Sequence, residues 1–77
     1  MRRFSYLIED LETGHTYSRQ PPIQLMKDAK TAAKSTSMKT GHPVAVIAVD
    51  SMDGAWISQG VYYGRTWRVG AHRRYID

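Results

Sequence analysis

Residues 44–57 read VAVIAVDSMDGAWI, and this stretch decides the fold. In an extended chain Val44, Val46 and Ala48 point to one side, and Ala45, Ile47 and Val49 to the other. Both sets are apolar, so neither face can meet water without cost. That pattern makes it the candidate for the central strand of a small sheet. Asp50, Ser51, Met52, Asp53 and Gly54 then supply a turn, since Asp and Gly are residues that tight turns favour. Ala55, Trp56 and Ile57 open a return strand, which makes the stretch a hairpin.

Outward from this hairpin the chain alternates strand and turn signals around one helical segment. Residues 4–11 read as a first strand, with Phe4, Tyr6 and Ile8 on one face and Leu7 on the other. Glu12, Thr13 and Gly14 form a turn, and residues 15–19 a short second strand with Tyr17 inward. Pro21 and Pro22 end it, because proline cannot donate to a strand ladder. Residues 23–37 are the helix, with Leu25, Ala29, Ala32, Ala33 and Thr36 along one side and Met26 beside them. The weak helix formers Ser35, Thr36 and Ser37 are expected to let it fade. After the central hairpin, residues 55–63 form an arm in which Gly60 marks a bulge. Gly64 turns the chain into a last strand at residues 65–69. The expected architecture is α+β: a small antiparallel sheet of four to five strands with one helix packed on it, in the order β-β-α-β-β-β. Residues 1–77 are read as a single small domain, with residues 71–77 as a mobile basic tail.

Composition narrows the function classes. The chain has 77 residues and no cysteine, which excludes disulfides and thiolate metal sites. Small secreted domains usually rely on such staples, so a cytoplasmic setting is expected. No apolar run reaches the roughly 18–20 residues that span a bilayer, so no membrane association is expected. Glu9, Asp10 and Glu12 interrupt the start, which does not read as a signal peptide. The formal net charge of +4 favours an anionic partner.

No arrangement of residues announces catalysis. His15, His42 and His72 are scattered, and no Ser/His/Asp spacing or phosphate-cradling glycine loop occurs. The sequence is therefore read as non-enzymatic, with no catalytic residues, no metal site and no cofactor. Positive charge is concentrated in two places instead. Lys27, Lys30 and Lys34 fall at i, i+3 and i+7, one stripe beside the apolar side of the helix. Arg65, Arg68, Arg73 and Arg74 are interleaved with Tyr62, Tyr63, Trp67 and Tyr75. Arginine beside exposed aromatics suits interfaces and single-stranded nucleic-acid platforms. Solvated lysines on a helix, and tryptophans packed in a core, are the ordinary structural roles of the same residues.

Some of these positions also form a pattern. An opening strand with Tyr6, Leu7 and Ile8 precedes a helix with Ala29-Lys30 and Ala33-Lys34. A Val46-Ile47 strand follows, then Asp53-Gly54-Ala55-Trp56-Ile57 and Gly64-Arg65-Thr66-Trp67. Over residues 6–67 this order resembles small phage-encoded inhibitors of CRISPR effectors, in particular a type I-F anti-CRISPR family built as a curved antiparallel sheet with one helix. The turn before Trp56 carries an extra alanine, and Tyr62-Tyr63 and the arginine tail have no counterpart. The resemblance implies a protein that binds a multisubunit bacterial ribonucleoprotein and blocks its target DNA. Lys30 and Lys34 match the helix segment of that pattern, and Lys27 extends the stripe.

Two functional readings follow. In the first, Lys27, Lys30, Lys34, Arg65 and Arg68 contact a bacterial protein or ribonucleoprotein, with a CRISPR effector as the implied target. In the second, Trp67, Arg73, Arg74 and Tyr75 bind nucleic acid directly, and affinity falls steeply with salt. Pairing of exposed sheet edges between copies is a third, structural possibility.

Overall fold

The computed structural model describes residues 3–18, 21–69 and 74–75. Its elements in chain order are β1 (Phe4–Asp10), β2 (Thr16–Tyr17), α1 (Met26–Thr40), β3 (Val44–Asp50), β4 (Trp56–Tyr63), β5 (Thr66–Arg68) and β6 (Arg74–Tyr75). The sheet is antiparallel throughout and runs in the order β2-β1-β3-β4-β5, with β6 pairing the far end of β4. One helix lies on one face, which is the expected α+β arrangement.

The doubly apolar stretch takes the centre. All seven residues of β3 pair with β1, from Phe4 opposite Asp50 to Asp10 opposite Val44. The other edge of β3 pairs with β4. Val44 and Val46 face α1, where they pack with Ile8, Ile23, Ala29 and Ala33. Ala45 and Ile47 face the other way, with Leu7, Val49, Trp56 and Val61. Full burial of a side chain such as Val46 or Ile47 contributes about 1.5–3 kcal/mol, so these two rows dominate the stability of so small a chain. Ala29 and Ala33 are fully buried, and their lack of bulk lets α1 lie close against β3.

The helix is displaced from its expected position. It begins at Met26, three residues after the expected start, because Ile23 belongs to the sheet: its carbonyl accepts the Tyr6 N–H at 2.8 Å. Leu25, expected on the packed side, is the N-cap and is 52% exposed. The helix also runs past Ser37 to Thr40. Two hydroxyls of this last stretch are engaged: Thr40 donates to the Thr36 carbonyl at 2.8 Å, and Ser37 bonds outside the helix. Gly41 stops the helix in the left-handed conformation, φ 77°, and donates its N–H to the Ser37 carbonyl.

Ser37 itself is buried. Its hydroxyl lies 2.6 Å from the His42 carbonyl and 3.1 Å from the Tyr62 carbonyl, and accepts the Gly64 N–H at 2.7 Å. One hydroxyl thereby ties the last turn of α1 to the connection into β3 and to the β4–β5 turn.

Two smaller expectations also change. Tyr17 stands opposite Ile8 but is 39% exposed rather than inward, because β2 is only two residues long and forms the margin of the sheet. Part of the expected mobile tail, residues 74–75, is a strand: Tyr75 pairs with Trp56 and Arg74 with Ile57. Residues 71–73 and 76–77 lie outside the described residues.

The bulge expected near Gly60 is present. Val46 pairs with Gly60 and Ile47 with Ser58, so Gln59 is the extra residue. The Trp67 ring and the Arg68 carbonyl approach Gly60 so closely that a methyl group there would lie 2.6–2.7 Å from them. Glycine at this position is what lets β5 bring Trp67 down onto β4.

Candidate interaction surface

The helix rises 1.5 Å per residue, so Lys27, Lys30 and Lys34 form a row about 10 Å long. The row lies on the flank of α1 that faces the β4–β5 end of the sheet. Together with Thr31 and Tyr62, the three lysines line one shallow hollow. Lys27 and Lys34 are exposed and Lys30 is half-buried. The Lys30 ammonium sits 4.6 Å from the centroid of the Trp67 ring, a cation–π contact. Trp67 in turn packs against Tyr62, with centroids 4.9 Å apart and planes tilted by 46°. Its ring therefore has Gly60 on one side and Lys30 on another.

Among the described residues no carboxylate pairs with any of the three lysines. Asp28 is on the opposite flank, where it lines a separate groove with Pro21, Pro22 and Leu25. Like charges at i+3 and i+4 on a helix are mutually destabilising by about 0.2–0.5 kcal/mol per pair. The unfavourable energy of this row is left standing in the isolated chain, and an anionic partner would relieve it.

The other expected residues are distributed differently. Arg65 is exposed in the β4–β5 turn, next to the Gly64 amide held by Ser37. Arg68 pairs with Val61, while Trp67 pairs with Tyr62, so the two point to opposite faces of the sheet. The Arg68 guanidinium lies 6.0 Å from the centroid of the exposed Tyr63 ring. The five residues expected to bind a partner thus divide, with Arg68 on the face away from the helix. The second set divides as well. Trp67 is opposite Tyr62, whereas Tyr75 is opposite Trp56, six residues back along β4, or about 20 Å of strand. Arg73 lies outside the described residues.

One ion pair was not anticipated. His42 Nδ1 lies 2.8 Å from Asp10 Oδ2, and the Asp10 side chain is almost wholly buried. Asp10 Oδ1 accepts the N–H groups of Glu12 and Thr13. The bond to His42 is the main reason the Asp10 carboxyl is held below its ordinary value of 3.8, against the opposing effect of burial. The same bond raises His42 above its ordinary 6.5, again against burial. Every Asp10 oxygen is engaged in closing a turn or holding the imidazole, so the pair works as a clasp between the end of β1 and the connection into β3.

The clasp has a definite pH signature. The Asp10 contribution is present above 3.8 and is lost as pH falls through the lowered value. The His42 contribution is complete below 6.5 and is lost as pH rises through the raised value. The stability difference between the wild type and His42→Gln should therefore be largest between those two pH values and shrink on the alkaline side. Urea unfolding midpoints of both proteins from pH 3 to 9 measure it. A difference that stays constant with pH would contradict the pairing.

Among the described residues, no group of three or more His, Asp or Glu side chains is placed to hold a metal ion, and no helix is long and apolar enough to cross a membrane. Comparison of the chain with protein-family models, with curated proteins and with solved structures finds no match in any of the three.

Proposed function

We propose that this chain is a small non-enzymatic binding protein of the phage-type inhibitor class that its sequence resembles. It seats the lysine face of α1 on a bacterial protein or ribonucleoprotein complex, with a CRISPR effector as the implied target, and blocks the access of target DNA. The observation that carries the reading is the row of Lys27, Lys30 and Lys34. It is fixed on one face of α1, gathered around Tyr62 and, among the described residues, has no carboxylate partner. Such a surface needs no chemistry to inhibit, because occupying a charged path is enough to exclude a competitor.

Direct binding of nucleic acid by the C-terminal aromatics draws less support. Stacking needs an open ring face, and the Trp67 ring is half-buried, with Lys30 over it and Gly60 against it.

Changing Lys27, Lys30 and Lys34 together to Glu should abolish partner capture. The far-UV circular dichroism should keep its helical signature, since Lys27 and Lys34 are exposed and Lys30 stands over the Trp67 ring rather than inside the core. The triple Arg variant, which keeps the charge, should retain capture. Full capture by the Glu variant would remove the helix from the reading.

A further inference from the structure

The lysine hollow does not end at Lys34. A second hollow adjoins it and shares Thr31 and Lys34 as its wall. Ser35, Met38 and Lys39 complete the second hollow. Met38 is 48% exposed, a large apolar side chain lying on the outer ridge of the helix, away from the core. It follows Lys34 by four residues, one turn further along the same ridge. The ridge therefore presents cations at 27, 30 and 34 and then a flexible apolar side chain at 38, with Lys39 off the ridge at the side of the second hollow.

We infer that this ridge is a docking surface for an acidic helix of a partner protein, one that carries carboxylates a turn apart and an apolar residue one turn beyond them. The inference rests on the binding reading above and names the chemistry of its partner. Charge complementarity sets the first part of the match, because no carboxylate of the described residues neutralises the row. Met38 sets the second. An apolar anchor with a polar rim, here Thr31, Lys34, Ser35 and Lys39 around Met38, is the anatomy of a protein interface, and methionine adapts readily to a facing side chain. A phosphodiester backbone would use the lysines and leave Met38 idle. The aromatic partners of the row offer a nucleic acid little, since the Trp67 ring already has Lys30 over it and Tyr62 and Gly60 packed against it.

Three labelled probes test the assignment by fluorescence anisotropy on the full chain. One is a helical peptide with Glu at i, i+3 and i+7 and Leu at i+11. The second is the same peptide with Gln in place of Leu, and the third is an oligothymidylate of 20 nucleotides. The Leu peptide should bind most tightly. Met38→Ser should weaken it roughly tenfold and leave the Gln peptide and the oligonucleotide unaffected. Because Met38 is exposed, circular dichroism of the variant should match the wild type. Equal binding of the Leu and Gln peptides would overturn the role of Met38. Tighter binding of the oligonucleotide, lost in the triple Glu variant, would overturn the acidic-helix assignment while leaving a binding face on α1. No binding of any probe would overturn the assignment, and capture from lysate by the same protein would then show whether the binding reading itself survives.

Discussion

Ile47→Asp should leave the chain unfolded at neutral pH. Ile47 is 1% exposed at the middle of the central strand, paired with Leu7 on one side and Ser58 on the other. On that face it packs in an apolar cluster with Leu7, Ala45, Val49, Trp56 and Val61. An unpaired carboxylate there costs several kcal/mol even after relaxation, and the burial of the isoleucine is lost as well, about 1.5–3 kcal/mol. A domain of this length has roughly 4–12 kcal/mol of stability in total. The two losses together take most or all of it. Ile47→Val, which removes one methyl group, should cost only about 0.5–1.5 kcal/mol and remain folded. Circular dichroism and a thermal melt on both variants decide the matter. A cooperative melt for Ile47→Asp at pH 7 would mean that β3 is not the centre of the sheet.

Gly60→Ala is the second large effect, and its cause is different. Nothing is removed from the core; one methyl group is added where none fits. Two of the atoms it meets are ring carbons of Trp67 and the third is the backbone carbonyl of Arg68. The ring could swing away, but the carbonyl moves only with β5. Overpacking of this kind costs about 1–3 kcal/mol, and for a chain of this size that lowers the melting temperature by roughly 10 °C. The change should also be local. Trp67 would be pushed off β4, and the Lys30 ammonium would lose its seat over the ring. A variant that melts like the wild type would show that Trp67 does not lie on Gly60. Adding Trp67→Ala to Gly60→Ala removes the ring and should relieve part of the clash, leaving the carbonyl contact.

Much of the fold is legible in the sequence because it follows from local pattern. The doubly apolar VAVIAV run can only be an interior strand, and the Asp-Gly turn after it sets the hairpin. Gly60 reads as a bulge because a strand interior has little other use for glycine. The helix is legible in type but not in position. Its start depends on the bridge between Ile23 and Tyr6, a long-range contact, and its run past Ser37 to Gly41 accompanies the burial of the Ser37 hydroxyl against the His42 and Tyr62 carbonyls. Leu25 differs for the same reason: an apolar residue next to an apolar face reads as packed, yet the chain is still turning in from the sheet there. Tyr17 shows the converse, a strand phase without enough strand to cover it.

The interaction surface divides along the same line. Three lysines at helical spacing put themselves in a row whatever the rest of the chain does. That Tyr62 and Trp67 would join them depends on the hand and register of β4 and β5, which no local pattern records. Charge alone groups Arg68 with the lysines, but strand alternation sends it to the other face. The Asp10–His42 clasp joins residues 32 positions apart, and its only trace is the Asp-Leu-Glu-Thr-Gly turn at one end. Met38 gave no signal because an exposed methionine looks like a fraying helix end until the helix is seen to continue through it.

The central claim is that the lysine face of α1 binds a protein partner. A tagged wild-type chain and the triple Glu variant, each passed through bacterial lysate with and without nuclease and read by mass spectrometry, test it most directly. A defined set of proteins should survive nuclease on the wild type and be absent from the variant. Captured material that disappears with nuclease, or that the triple Glu variant holds equally well, would contradict it.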